Sequence, residues 1–221
     1  MKEVTLVITS CGRFSFLKST IESFFKYNTY PIKKVIIIDN SNTENSSTII
    51  TEIINKFSQN YEVIINEQNI GQVASIDKAY NLVETEFIYH CEDDWEFFDY
   101  GFVEKSMDVL VSNNSVVNVN TRIRFDGEKG SMHPVYGDFI TENGTKYKLY
   151  EYGYLGAWHG FSWNPGLRKK SDYELIKPFS KYGNEERVGN EYFNLGFKSA
   201  CLENFYNKHL GTHSFTEKSN Q

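Results

Sequence analysis

"FIYHCEDDWEF", residues 87–97, sets three acids directly behind an apolar, aromatic run. Adjacent carboxylates repel and gain nothing from one another in water. Phe87 to Cys91 has the length and composition of a buried strand, so Glu92, Asp93 and Asp94 mark its carboxyl end. A solvated acidic turn is the plainest reading of such a triplet. Its place after a buried strand, with Trp95 and Phe97 following, favours a site that holds a metal ion. A structural Ca²⁺ loop is a weaker rival, because that ion wants more oxygen ligands spaced along the loop.

Upstream, the same pattern repeats. "VTLVIT" (4–9), "KVIIIDN" (34–40) and "YEVIIN" (61–66) are short β-branched runs suited to strands buried on both faces. Between them, residues 16–27, 47–57 and 72–83 carry apolar stripes at helical spacing. Alternating strands and helices predict an α/β fold: a central, mostly parallel sheet covered by helices and joined by right-handed crossovers. Open parallel sheets bind ligands beyond the carboxyl ends of their strands, where Asp39 and the acids at 92–94 both fall.

The remainder is less periodic. A helix is expected near 101–112, a strand over 116–125, a strand or turn over 161–169, a helix over 184–197 ending near Gly196, and a strand over 199–204. Residues 126–160 suit irregular strands plus a loop, and the polar tail is expected to fray. No repeat, linker or low-complexity run divides the 221 residues, so a single domain over 1–221 is expected.

Bulk properties narrow the function. A net charge of −6 excludes general nucleic-acid binding, which wants a basic face, but not a nucleotide held through a metal. Aromatics make up 16% of the chain, which suits either a core or a ring-stacking surface. Cys11, Cys91 and Cys201 lie far apart and form neither a zinc spacing nor a disulfide framework. They point to a reducing compartment, and a cytoplasmic location is expected. There is no apolar run of transmembrane length and no signal-peptide pattern. The sequons at Asn45, Asn113 and Asn143 are attributable to an Asn- and Ser-rich composition.

"VTLVITSCGR", "VIIIDNSN", "NEQNIGQVASIDKA" and "FIYHCEDDWEF" follow one another in an order and spacing that resembles GT-A fold glycosyltransferases of the family 2 type. The resemblance covers roughly the first hundred residues and, more loosely, residues 161–209. It implies a three-layer GT-A fold, with residues 1–100 as the nucleotide-sugar half and 101–221 as the acceptor half. It also implies that Glu92-Asp93-Asp94 stands for the family's Asp-x-Asp motif, which holds Mn²⁺ or Mg²⁺ against the donor diphosphate. Glu92 replaces the usual first Asp. Asp94 would ligate the metal and Asp93 would face the ribose or sugar. Asp39 would accept from a uracil-type base, although an Asx turn or helix cap explains it too. Thr9, Ser10 and Arg13 would line the nucleoside, with Arg13 otherwise a surface cation. Asp77 would lie near the nucleotide, with helix-surface solvation as its alternative. The resemblance makes His209 a further metal or pyrophosphate contact, with His213 as a second candidate.

Transfer to a hydroxyl with inversion needs a base. The family's acidic pair stands about ten residues before a Gly, which matches Glu185 and Glu186 before Gly196. Glu186 is the first choice, Glu185 the second and Glu191 the third. Acids in a first helical turn also suit the macrodipole without any chemistry. Trp158, His159 and Trp163 would contact the acceptor sugar, or simply pack.

The expected function is therefore a metal-dependent glycosyltransferase that uses a nucleoside-diphosphate sugar, with UDP-sugars favoured and GDP-sugars possible, and a glycan hydroxyl as acceptor. A retaining mechanism stays open. A sugar-phosphate nucleotidyltransferase is disfavoured, because "SCGRFSF" lacks a Gly-rich basic phosphate loop. A non-catalytic carbohydrate-binding protein of the same fold is the alternative from another class. A dinucleotide oxidoreductase is disfavoured because no G-x-G-x-x-G follows the first strand.

Overall fold

Seven consecutive buried residues, Val4–Ser10, form β1, and burial on both faces is what a central parallel strand requires. In the computed structural model, which describes residues 2–122, 134–152 and 160–211, β1 pairs in parallel with β2 (Ile32–Asp39) and with β4 (Phe87–Glu92). Beyond β2 lies β3 (Tyr61–Ile65), again parallel. The crossovers are α1 (Phe14–Tyr27), α2 (Ser46–Ile54) and α3 (Gln72–Asn81). This half has the alternation expected from its apolar runs, and the elements differ only at their end residues.

The second half adds β5 (Trp95–Phe97), α4 (Phe102–Ser112), β6 (Val116–Asn120), β7 (Val135–Ile140) and β8 (Lys146–Tyr150). It continues with β9 (Gly166–Lys169), α5 (Lys170–Ile176), a 3₁₀ turn (Phe179–Lys181), α6 (Glu185–Asn194), β10 (Lys198–Leu202) and β11 (Asn207–His209). The main sheet has nine strands in the order β3-β2-β1-β4-β9-β6-β10-β8-β7. β9 runs antiparallel between β4 and β6. Gly166 permits that insertion, because a Cβ there would lie 2.6 Å from the Val119 carbonyl oxygen.

Two expectations need correction. The strand expected over 116–125 ends at Asn120, and beyond it only Arg122 bridges to Asn207; residues 123–125 lie outside the described residues. The segment 161–169 is a strand only from Gly166, and α5 follows it without a break. The segment 126–160, expected to hold irregular strands plus a loop, contains the hairpin β7–β8.

Helices cover both faces of the sheet, giving three layers. α1, α2 and α4 close over a core that includes Leu6, Ile8, Phe24, Ile37 and Phe102. α3, α5 and α6 close over Val7, Ile36, Tyr80, Tyr173 and Tyr192 on the other face. Much of the aromatic content is core: the ring of Phe24 meets those of Phe97 and Phe102 at 5.2 and 5.4 Å. Each fully buried Leu, Ile or Phe contributes about 1.5–3 kcal/mol relative to exposure. Among the described residues, no helix is long and apolar enough to cross a membrane. Cys11, Cys91 and Cys201 form no disulfide with one another.

Candidate active site

The parallel register aligns the strand ends. Ser10 lies opposite Asp39, and Thr9 opposite Glu92. Gly12, at φ +71°, turns the chain sharply after β1, and a Cβ there would come within 3.0 Å of Ser41 Cβ. The Gly12 N–H donates to Asp39 Oδ1 at 2.9 Å, and the Ser41 hydroxyl donates to Oδ2 at 2.5 Å. Asp39 is fully buried and ties the loops after β1 and β2 together.

Thr20 on α1 pins the acid turn. Its hydroxyl donates to the Asp93 carbonyl at 2.7 Å and accepts the Trp95 N–H at 2.9 Å. Asp93 turns inward, accepting from the Ser10 hydroxyl at 2.8 Å, from the Cys11 N–H, and from Nε and Nη2 of Arg13. Asp94 faces the opening. Its Oδ2 accepts from Arg13 Nη1 at 2.7 Å and lies 3.0 Å from His209 Nε2. His209 arrives through the two-stranded β5–β11 ribbon, in register with Trp95, and the Leu210 N–H donates to the Asp94 carbonyl at 2.7 Å. Gly211 completes the approach, since a Cβ there would lie 2.7 Å from Asp94 Oδ2. Glu92 accepts from Gln72 Nε2 at 2.7 Å and from the Trp95 indole N–H at 3.3 Å.

On the far side, Asn184 caps α6 by accepting the Arg187 N–H at 2.9 Å. Glu185 in the first turn accepts the Trp163 N–H at 2.7 Å and faces the acid cluster closely enough to perturb Glu92. Glu186 is exposed, and Glu191 lies half-buried further along the helix. Of the three candidate bases, then, the one brought to the strand ends is Glu185, not the first-choice Glu186. The reason is the Trp163 amide, which reaches only one of two neighbouring side chains.

Charge is unbalanced at this site. Burial, with the charges of Asp94 and Glu185, pushes Glu92 up to about 7. Burial pushes Asp93 up to about 6 despite Arg13. For Asp94 burial is overcome by the hydrogen bonds of His209 and Arg13, which hold it below the usual range. The hydrogen bond to Asp94 raises His209. Burial also raises Glu185, against the Trp163 amide and the charges of Arg168 and Arg122. Two raised carboxyls beside a third at one strand end are a surplus of negative charge that a cation would offset.

Other expected residues fall elsewhere. Asp77 is buried and filled: the Tyr173 hydroxyl donates to it at 3.0 Å, and the Phe179 and Ser180 amides at 2.7 and 2.8 Å. It anchors the 3₁₀ turn rather than meeting the acid cluster. Trp163 is 4% exposed within the second core, its ring against Phe161 and Phe179, so it has no free face for a sugar. Trp158, His159 and His213 lie outside the described residues. The sequence reading missed Gln72, Arg122, Arg168 and Gly211. Arg122 stands over Trp95 at 5.5 Å, and its only signal was a charged position at the end of an alternating run.

A divalent cation fits the donors present. Asp94 Oδ2 and His209 Nε2 converge, a carboxylate oxygen of the kind Mn²⁺ and Mg²⁺ take beside an imidazole that divalent transition metals accept, with Arg13 Nη1 on the same oxygen. Among the described residues, no group of three or more His, Cys, Asp or Glu is placed to hold a metal ion by itself. A site with few protein ligands, completed by phosphate and water, is the form Mg²⁺ takes at nucleotides.

A nine-stranded sheet with acids at the carboxyl ends of its parallel strands and helices on both faces defines a GT-A type fold. The chain belongs to glycosyl transferase family 2, whose model matches residues 5–176. A comparison with curated protein sequences gives no match. Among solved structures, the chain resembles the mannosyltransferase PcManGT of Pyrobaculum calidifontis in complex with GDP-Man and Mn²⁺, with a TM-score of 0.64 and 10% identity, covering 89% of this chain and 53% of that one. It is also similar to S. aureus TarS 1-349 in complex with UDP (TM-score 0.63, 14% identity, 94% and 60% covered). GalNAc-T7 with UDP, GalNAc and Mn²⁺ superposes at a TM-score of 0.69 with 13% identity, covering 95% and 43%. The chain thus spans about half the length of these relatives.

Proposed function

We propose that the chain is a glycosyltransferase that moves a sugar from a nucleoside-diphosphate sugar to a hydroxyl of a glycan or similar acceptor, with inversion. The observation that carries this is the convergence of Asp94 and His209 at the strand ends, with Glu185 across from them. Asp94 and His209 would hold Mn²⁺ or Mg²⁺. Bound there, the cation supplies charge stabilisation for the departing diphosphate. Asp39, Ser10 and Thr9 border the nucleoside side. Arg13 holds the acid turn and would stand beside the phosphates. Glu185 accepts the acceptor hydroxyl's proton. The hydroxyl oxygen bonds the anomeric carbon as the carbon–oxygen bond to the diphosphate breaks, and the electron pair leaves with the nucleotide. The Mn²⁺ and the nucleotides held by the solved relatives support a UDP- or GDP-sugar as donor.

A thermal-shift screen of UDP-, GDP-, CMP- and dTDP-sugars, with and without Mn²⁺, tests this. A ligand at a hundredfold excess over Kd stabilises by about 2.7 kcal/mol. Asp94→Ala is expected to lose the Mn²⁺-dependent part of the shift while keeping the metal-free melting transition. An unchanged Mn²⁺ effect in that variant removes Asp94 as ligand.

A further inference from the structure

Arg168 on β9 is 2% exposed. Its Nε and Nη1 meet no acceptor among the described residues. Its guanidinium lies over the Phe161 ring at 5.4 Å. A cation in such a place is costly unless an opposite charge or well-aimed dipoles compensate it. Among the described residues it donates from Nη2 to the Ser162 carbonyl at 3.0 Å, and the Tyr80 hydroxyl also lies close to its guanidinium.

That carbonyl shares its peptide group with the Trp163 N–H, which donates to Glu185 Oε2 at 2.7 Å. One planar amide therefore has a guanidinium on its oxygen and a carboxylate on its nitrogen. The amide dipole points its positive end at Glu185 and its negative end at Arg168, so each charge strengthens the other's hydrogen bond. Because the peptide is rigid, fixing its oxygen also fixes the direction of its N–H. Arg168 itself is held by β4 and β6, in register with Ile88 and Asn118, so the reference point is the sheet rather than the loop.

We propose that Arg168 is a positioning residue for Glu185: acting through the Ser162–Trp163 peptide, it holds the carboxylate toward the acid cluster and supplies its buried counter-charge. This rests on Glu185 being the base, and the test separates the two ideas. Ser162-Trp163 is the only Ser–Trp pair in the chain, so ¹³C-carbonyl serine with ¹⁵N-tryptophan labelling isolates that one amide in the NMR spectrum. Its shift should titrate with Glu185, and Glu185→Gln should abolish the titration. The groups facing Glu185 are Arg168, Arg122, the Ser162 hydroxyl and Glu92. The other three stay constant when Arg168 alone is changed.

Arg168→Lys should raise the midpoint by about half a pH unit or more, and Arg168→Met by about one unit or more, as expected when a nearby opposite charge is weakened or removed. If Arg168→Met does not fold, the lysine variant decides. An unmoved midpoint in Arg168→Lys, with or without the methionine variant, overturns the proposal. With a donor found in the screen above, Arg168→Met should lower kcat about tenfold or more with donor KM unchanged, and lysine should restore part of it. A raised KM at unchanged kcat also overturns it. Full turnover in Glu185→Gln beside the expected amide titration removes Glu185 as base and leaves the peptide coupling standing.

Discussion

Strands β1 to β4 and strands β6 to β10 share one sheet, yet the sequence encodes them differently. The first group is parallel: β1 and the end of β2 are buried runs rich in Val, Ile and Leu, β4 is buried with Phe87 and Tyr89, and only the edge strand β3 is half-buried. The second group mixes directions and ends in an exposed edge: no residue of β7 is buried, and Ile140 is 63% exposed. The first group sets the strand ends where the acids gather. The second half of the chain delivers the groups that face them, Glu185 from the first turn of α6 and His209 from the short strand β11. The acids are built into the strong half and their partners are hung from the weaker one.

The largest expected effect breaks the link between the halves. Glu185→Gln should bind donor nucleotide with unchanged affinity while turnover falls about 10²–10⁴-fold, the range for losing a general base. Single-turnover kinetics beside donor titration would show it, and an unaltered rate would return the assignment to Glu186 or Glu191. Next comes packing. Ile37→Ala, in the fully buried parallel half, should cost about 2–5 kcal/mol of unfolding free energy, whereas Ile140→Ala on the edge should stay within about 0.5 kcal/mol. Equal losses in urea denaturation would erase the contrast.

A smaller effect separates two kinds of acid in the distal half. Burial pushes Asp172 up to about 6, and its Oδ2 has no hydrogen-bond partner among the described residues. A raised acid holds its proton more tightly folded than unfolded. Its contribution is therefore full below the unfolded value near 3.9 and is lost as pH rises through about 6. Asp172→Asn should flatten that slope and gain on the order of 2 kcal/mol at pH 7. Parallel unfolding curves for both proteins at pH 4.5 and 7 would check it.

The sequence showed the fold where burial was uniform and hid it where neighbours decided. β1 to β4 and their helices follow from apolar runs and helical stripes. β9 was blurred because four residues containing an arginine carry no period. The β5–β11 ribbon was invisible because two three-residue strands pair across more than a hundred positions. The acids at 92–94 are conspicuous by their chemistry, whereas His209 is a candidate only through the family resemblance. Choosing between Glu185 and Glu186 was beyond any pattern, since both occupy the first turn of α6 and only the Trp163 amide tells them apart. Asp77 and Trp163 misled for the same reason: a polar or aromatic side chain shows its partner only in three dimensions.

The β5–β11 ribbon begins one residue after Asp94 and brings back the chain that ends its described course at Gly211. The segment matched by the family model stops at residue 176, short of Glu185 and of that returning strand. Trimming the polypeptide to the matched boundary would keep every carboxylate of the acid turn and discard the imidazole that clasps it. Deletion mapping that counts only family boundaries would therefore cut through the proposed site rather than beside it.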